Sequence, residues 1–259
     1  LSCKKAKAKS KKFQKFLAVY GFLPILATRK QECIMEQQGK ITLTTSQENV
    51  LKQILDFIDH PSDRIFILKG YAGTGKTTAI SSVISVMKNF GTKCVLLAPT
   101  GRAAKVLSSY SGMPAFTIHK HIYRQKSVGG DGFGQFTLAP NKDKETLFIV
   151  DEVSLIGIEA GQQQSTTAFG TGNLLDDLIT FVRMGVECKL ILIGDSAQLP
   201  PVGLDASPSL SKDYMAMMGG TVFAELSTVV RQQQESGILY NATMIRQLQS
   251  ELDYGPGLM

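Results

Sequence analysis

Residues 70–77 read Gly70-Tyr71-Ala72-Gly73-Thr74-Gly75-Lys76-Thr77. This stretch matches the pattern G-x-x-x-x-G-K-[ST], and it lies between a short apolar run and the start of a predicted helix. Glycines let the backbone curl so that its N–H groups point at a phosphate, and the N-terminus of the following helix adds partial positive charge. A chance glycine-rich turn is the alternative, but the strand-loop-helix setting disfavours it. The pattern therefore predicts a phosphate-binding loop.

The loop pattern also assigns roles to single side chains. Lys76 would reach the β- and γ-phosphates of a bound nucleotide, and the Thr77 hydroxyl would bind Mg²⁺. The predicted nucleotide-binding set lies in the loop and at the start of the next helix: Gly70, Ala72, Gly73, Thr74, Gly75, Lys76, Thr77 and Thr78.

A second stretch, Phe148-Ile149-Val150-Asp151-Glu152, is an apolar run that ends in two carboxylates. A strand end would place Asp151 beside the metal, which it would hold directly or through water. Glu152 would then orient and deprotonate an attacking water molecule. A pair of solvated acids is the alternative, and it loses weight once the phosphate-binding loop is present. Adjacent acids of this kind favour hydrolysis over phosphoryl transfer to a second substrate.

From Met35 onward, helical and strand patterns alternate, which predicts an α/β domain with a mostly parallel sheet flanked by helices. The predicted strands are 64–69, 93–98, 146–150, 189–193 and, more weakly, 221–226. Helices are predicted over 44–58, after Gly75, after Gly101, over 173–183 and over 236–252. The Gly-rich or Gln-rich stretches 127–145 and 157–172 are predicted to be surface loops or small insertions.

The net charge of +6 resides in the first 34 residues, which hold nine of the 28 Lys and Arg but only one of the 22 Asp and Glu. The remaining chain is slightly acidic, so global charge gives no argument for nucleic-acid binding by the folded part. A secretory signal is the alternative for 1–34, but its apolar run is short and lacks a clear cleavage site. We expect 1–34 to be an extension outside the core, with natural translation from Met35.

The four cysteines lie far apart without a CxxC pair, so the sequence predicts neither a zinc site nor a disulfide framework. No run is long enough to span a membrane. A reducing, cytoplasmic setting fits best.

Further motifs follow the first two in a fixed order. They are Leu97-Ala98-Pro99-Thr100-Gly101-Arg102-Ala103-Ala104, Thr117-Ile118-His119, Asp151-Glu152-Val153-Ser154-Leu155, Gly194-Asp195-Ser196-Ala197-Gln198-Leu199-Pro200-Pro201-Val202-Gly203 and Val230-Arg231-Gln232. This series resembles the RecD-like branch of superfamily 1 DNA helicases, which includes the exodeoxyribonuclease V alpha subunit. The resemblance implies a RecA-like P-loop NTPase domain over 35–259.

The resemblance implies roles for three more residues. Gln47 resembles the glutamine that recognises adenine, which makes ATP the expected nucleotide; a solvated glutamine near a helix start is the alternative. Gln198 resembles the residue that senses the γ-phosphate. Arg231 resembles the arginine that contacts the γ-phosphate from the edge of the cleft.

For DNA, Thr100, Gly101 and Arg102 are expected to hold a phosphate of single-stranded DNA at a helix N-terminus. His119 resembles a second DNA-contacting residue. Phe116 and Tyr123 are stacking candidates, with core packing as the alternative.

The family's second RecA-like motor domain, with a further arginine motif, has no counterpart up to Met259. We therefore expect this chain to bind Mg-ATP, to hydrolyse it slowly and not to unwind duplexes unaided; the whole protein is expected to be a 5′ to 3′ helicase. The alternatives are an ATPase completed by a partner subunit and a non-enzymatic fragment that binds nucleotide or DNA. A P-loop kinase or GTPase is disfavoured because no lid or guanine-reading motif is evident.

Overall fold

The computed structural model describes residues 43–89, 91–126, 135–157, 168–201 and 203–226. Its helices are α1 (Thr45–Asp59), α2 (Lys76–Asn89), α3 (Gly101–Ser111), α4 (Ile118–Ile122), α5 (Leu174–Met184) and α6 (Lys212–Met217). Its strands are β1 (Ile65–Gly70), β2 (Lys93–Ala98), β3 (Ala115–Thr117), β4 (Tyr123–Gln125), β5 (Gln135–Leu138), β6 (Thr146–Val150), β7 (Ala168–Phe169), β8 (Lys189–Gly194) and β9 (Thr221–Leu226). The predicted extension 1–34 and the predicted helix 236–252 lie outside the described residues.

Six strands form one parallel sheet in the order β3-β2-β6-β8-β1-β9. Strand β8 lies between β1 and β6, pairing Phe66 with Ile191 on one side and Phe148 with Leu190 on the other. All five residues of β6 are buried, as expected for a parallel sheet covered on both faces. The predicted α/β fold class is confirmed. Parallel pairing brings the carboxyl ends of β1, β6 and β8 to one edge, where the loops that follow them meet.

Helix α1 illustrates how local signals set the boundaries. Its N-terminus carries a capping box in which the Thr44 side chain accepts from the Gln47 N–H, while the Gln47 side chain accepts from the Thr44 N–H. Val50 and Ile54 lie on one helical face and are buried. The helix ends at Asp59, and His60, immediately before Pro61, is its C-cap, so the predicted helix is confirmed.

A second, three-stranded sheet corrects the prediction for the two Gly-rich and Gln-rich stretches. Strand β5 pairs antiparallel with β4 and parallel with β7, so the stretches predicted to be surface loops or small insertions contain short strands. Strands of two to four residues are too short to show an alternating pattern, which is why the sequence did not reveal them.

A buried carboxylate fastens this small sheet to α5. Asp177 is 2% exposed and accepts hydrogen bonds from the Tyr123 hydroxyl at 2.6 Å and from the Thr171 N–H and hydroxyl at 3.0 Å each. Gly170 has a φ of 46°, and a Cβ there would stand 2.0 Å from Asp177 Oδ2. Only glycine fits so close to the carboxylate. Tyr123 is thus a core residue, which favours core packing over DNA stacking for this ring.

Within the described ranges, no helix combines the length and the apolar character needed to cross a bilayer.

Candidate functional site

The loop between β1 and α2 is curled in the way that the glycine pattern predicts. Gly73 and Gly75 have φ values of 82° and 83°, which side chains rarely tolerate. A Cβ on Gly70 would lie 2.8 Å from Thr74 Oγ1. The Thr74 side chain is buried, and its hydroxyl donates to the Tyr71 carbonyl at 2.8 Å. The loop therefore curls into a concave surface at the N-terminus of α2. Its shape and the positive end of the helix dipole suit a phosphate group.

The Lys76 side chain folds back into this loop. Its Nζ donates to the carbonyls of Gly70 and Tyr71, the latter at 3.0 Å, and lies 3.6 Å from Asp195 Oδ2. The Lys76 side chain is 18% exposed and that of Asp195 only 2%. A mostly buried cation thus lies at the C-terminal end of β1, inside the loop that is predicted to bind a phosphate.

Asp151 directly follows β6 at the same edge of the sheet. Its N–H donates to the Leu97 carbonyl at 3.1 Å, which fixes its main chain beside β2. Its Oδ1 accepts from the Glu152 N–H at 2.9 Å, and its Oδ2 accepts from the Tyr110 hydroxyl at 2.6 Å. Burial, together with the charge of Asp151, raises the pKa of Tyr110 above its ordinary value, so the hydroxyl keeps its proton and acts as the donor.

Glu152 has a left-handed backbone, with φ of 57° and ψ of 38°. This conformation costs a non-glycine residue on the order of 1–3 kcal/mol, and such outliers cluster at functional sites. Burial and then the charge of Asp151 raise the pKa of Glu152, while a hydrogen bond from Gln198 and the charge of Lys76 act in the opposite direction. The Glu152 carboxyl therefore lies within reach of Gln198 and in the field of Lys76, and a raised pKa makes it a stronger base.

Gln198 joins the ends of β6 and β8. Its Oε1 accepts from the Ser154 hydroxyl at 3.2 Å, and its N–H donates to the Asp195 carbonyl at 3.2 Å. Asp195 Oδ1 also accepts from the Ala197 N–H at 2.9 Å, which fixes the turn after β8. The structure thus brings the predicted residues Lys76, Glu152 and Gln198 together around one group that the sequence reasoning missed, Asp195.

Two residues of this site were not predicted, and the sequence signals for them differ. Asp195 directly follows a buried strand, as Asp151 does, so the rule that parallel strands end at one edge could have found it. Tyr110 lies 41 residues from Asp151 in the chain, and nothing in its local sequence marks the contact.

Gln47 lies against the phosphate-binding loop. Its side chain is 2% exposed, and its Nε2 donates to the Gly75 carbonyl at 3.4 Å while its Oε1 accepts from the Thr44 N–H at 2.9 Å. The alternative of a solvated glutamine is therefore wrong. The contact ties the start of α1 to the loop.

The residues at this edge fit a bound Mg²⁺. Within the described ranges, no three His, Cys, Asp or Glu side chains cluster so as to hold a metal by themselves. Mg²⁺ does not need such a cluster, because it takes one or two protein oxygens and completes its shell with water and phosphate oxygens. Two such oxygen ligands are present. They are the Asp151 carboxylate and the exposed hydroxyl of Thr77, which follows Lys76 at the start of α2.

The predicted DNA residues lie on two neighbouring elements. Thr100 caps α3 by accepting from the Ala103 N–H at 3.2 Å, and Thr100, Gly101 and Arg102 are all exposed. His119 on α4 is half-buried, with ring centroids 5.7 Å from Tyr123 and 5.1 Å from Phe169.

Burial lowers the pKa of His119, so this ring favours its neutral form. Phe116, by contrast, is 40% exposed, and Lys120 Nζ lies 5.9 Å from its ring centroid.

Arg231, predicted to contact the γ-phosphate, lies outside the described residues.

Residues 42–252 match a protein-family model described as an AAA domain. The chain belongs to this family. The AAA domain is 31% identical to the ATP-dependent RecD2 DNA helicase of Deinococcus radiodurans over 200 residues, which are 77% of this chain and 23% of that protein. It is also 30% identical to the ATP-dependent DNA helicase dda of Enterobacteria phage T4 over 173 residues, or 62% of this chain and 33% of that protein.

These relatives confirm the predicted resemblance, and the AAA domain is a RecD-like superfamily 1 motor domain. The chain spans 23% and 33% of the lengths of these two relatives. A crystal structure of the Pif1 helicase from Candida albicans matches with a TM-score of 0.47 and 23% identity, covering 78% of this chain and 43% of that one.

Proposed function

We propose that this AAA domain binds and hydrolyses Mg-ATP as the first motor domain of a DNA helicase that moves 5′ to 3′ on single-stranded DNA. The convergence of Lys76, Glu152 and Gln198 around the buried Asp195 carries the proposal, because a loop cation, a base and a polar sensor meet at one edge of the sheet.

In the proposed reaction, Lys76 leaves the Gly70 and Tyr71 carbonyls and neutralises charge on the β- and γ-phosphates. Thr77 and Asp151 would hold Mg²⁺, which supplies charge neutralisation at the phosphate oxygens when bound. The Glu152 carboxylate accepts a proton from the attacking water, and its raised pKa favours that transfer.

Gln198 is proposed to sense the γ-phosphate, because its side chain contacts both Ser154 and Glu152. A γ-phosphate that draws the Gln198 amide towards itself would therefore disturb the turn after β8. Arg231 is proposed to contact the γ-phosphate, and Gln47, buried beside the loop, is proposed to select adenine.

DNA is proposed to cross the exposed N-terminus of α3, where the N–H groups at the start of the helix and the Arg102 guanidinium face solvent. His119 and Phe116 are proposed to line the continuation of this path. Contacts of this kind predict little sequence preference and strong dependence on salt.

Among the described residues, Lys76 is the cation held in the phosphate-binding loop. Phosphoryl-transfer sites of this kind usually require additional arginines. We therefore propose that rapid turnover and stepping require a second motor domain, in the same protein or in a partner subunit, and that the protein works in the ATP-containing cytoplasm.

The test is steady-state ATP hydrolysis by the chain with Mg²⁺, with and without an oligothymidylate. We expect slow hydrolysis that single-stranded DNA stimulates, and we expect GTP to compete poorly. No nucleotide binding would refute the proposal, and hydrolysis indifferent to DNA would refute its DNA part. The polarity is tested on the full-length protein with 5′-tailed and 3′-tailed duplexes, of which only the first should be unwound.

A further inference from the structure

Tyr110 carries a contact to the proposed metal-binding carboxylate that the reaction described above does not use. Its hydroxyl donates to Asp151 Oδ2 at 2.6 Å, a short bond of the charge-assisted kind. The other carboxylate oxygen accepts from the Glu152 N–H at 2.9 Å. The Asp151 carboxylate is therefore held from two sides, by the main-chain N–H of the next residue and by a side chain from a different element.

The helix that carries Tyr110 is itself firmly placed. Leu107 of α3 is fully buried, and Tyr110, three residues further along, lies on the same helical face. Thr100 caps the start of the helix, and Gly112 ends it in a left-handed conformation with φ of 64°. The phenol is thus delivered to Asp151 from a rigid support.

We infer that Tyr110 is a positioning residue that orients Asp151 for Mg²⁺ and ties this carboxylate to the helix whose N-terminus is proposed to hold DNA. A carboxylate oxygen can accept more than one hydrogen bond, so the Tyr110 contact leaves capacity for a metal or its water. Second-shell partners of metal ligands act in this way, by fixing the ligand's direction. The inference rests on the proposed function.

The link to DNA follows from the length of α3. Its 11 residues span about 16 Å from the exposed cap at Thr100 to the region of Tyr110. A DNA phosphate that shifts the N-terminus of this helix therefore moves a group bonded to Asp151.

The test measures how Mg²⁺ strengthens the binding of a fluorescent ATP analogue to the whole chain. Tyr110→Phe removes only the hydroxyl. We expect it to raise the half-saturating Mg²⁺ concentration on the order of tenfold, the lower end of what loss of a second-shell partner costs. Affinity for the analogue in EDTA should stay unchanged, because the hydroxyl that is removed bonds to Asp151 and not to the nucleotide.

Tyr214→Phe is the matched control. Its hydroxyl donates to the Asp176 carboxylate at 3.1 Å, and Asp176 is not one of the residues proposed to hold Mg²⁺ or nucleotide, so we expect the Mg²⁺ dependence of this variant to equal that of the wild type. Thermal unfolding of both variants verifies that they are folded. If Tyr110→Phe does not fold, Tyr110→His, which retains a ring donor, replaces it and should keep part of the Mg²⁺ response.

The outcomes separate the two claims. Wild-type binding that depends on Mg²⁺, together with an unchanged or lowered requirement in Tyr110→Phe, overturns the role of Tyr110 and leaves the proposed function standing. A wild-type chain that binds no nucleotide overturns both. An equal loss of EDTA affinity and Mg²⁺ response in Tyr110→Phe indicates general damage to the site and also contradicts a positioning role.

Discussion

The Lys76 ammonium lies 3.6 Å from the buried Oδ2 atom of Asp195, so the cation of the phosphate-binding loop pairs with the residue that directly follows β8. Strand β8 lies between β1, which leads into the loop, and β6, which Asp151 follows. This order places the Asp195 carboxylate at the centre of the site. Lys76 therefore pairs with a buried carboxylate in addition to its proposed role at a phosphate.

Lys76→Ala should abolish nucleotide binding and also lower stability, because it leaves Asp195 buried without its cation. A buried polar group that loses its partner costs about 1–3 kcal/mol. Lys76→Ala combined with Asp195→Asn should regain most of the lost free energy of unfolding, since the amide can still accept from the Ala197 N–H, but not nucleotide binding. Chemical denaturation and fluorescent-ATP binding measure the two properties.

Restored ATP binding in the double variant would contradict the assignment of Lys76 to the phosphate. Equal stability of the wild type and Lys76→Ala would show instead that Asp195 does not depend on this partner.

Arg102→Ala should weaken the binding of single-stranded DNA and leave ATP affinity unchanged. Loss of one phosphate contact should reduce the slope of log affinity against log salt by about 0.7 for a single strand. Lys105→Ala is the control, because it removes the same charge from an exposed position one turn further along α3. Fluorescence anisotropy at several salt concentrations measures the affinity of both variants for single-stranded DNA. An equal loss of affinity in Arg102→Ala and Lys105→Ala would indicate diffuse electrostatic attraction rather than a site at the helix N-terminus.

Five strands of the large sheet could be predicted because they are continuous apolar runs bounded by breakers, whereas the three-residue edge strand β3 was not predicted. The predicted strands 93–98, 146–150 and 221–226 coincide with β2, β6 and β9. The phosphate-binding loop could also be predicted from the sequence. Gly73 and Gly75 have positive φ, and glycine is the residue type that adopts positive φ most readily.

The remaining features depend on contacts between distant parts of the chain. The Tyr123 hydroxyl meets Asp177, 54 residues away, and Tyr110 meets Asp151 across 41. Neither tyrosine differs in its local pattern from an ordinary amphipathic helix or strand residue. The left-handed backbone of Glu152 could not be predicted from the sequence either, because glutamate has no intrinsic preference for that conformation.

His121 should make the protein sensitive to acid. Its ring lies 5.9 Å from Phe148 and 5.7 Å from Phe181 between ring centroids. Burial is the main cause that lowers its pKa; Arg124 and Lys93 act in the same direction and Asp143 opposes them. Because the folded-state pKa lies below the unfolded value, this contribution to stability is present above the unfolded pKa and is lost as the pH falls through the folded pKa.

His121→Phe keeps an aromatic ring among aromatic neighbours and cannot take up a proton. Its free energy of unfolding should therefore fall less than that of the wild type between about pH 8 and about pH 5. Urea denaturation across this range gives both curves, and parallel curves would exclude His121 as a source of acid sensitivity.

The most direct test of the central claim compares ATP binding and ATP hydrolysis in the wild type and Glu152→Gln. We expect the variant to bind Mg-ATP about as well as the wild type, while hydrolysis falls on the order of 10²-fold or more, as is usual when a catalytic base is lost. Hydrolysis at the wild-type rate by Glu152→Gln would show that Glu152 is not the base, and a wild-type chain that does not bind ATP would refute the proposed ATPase.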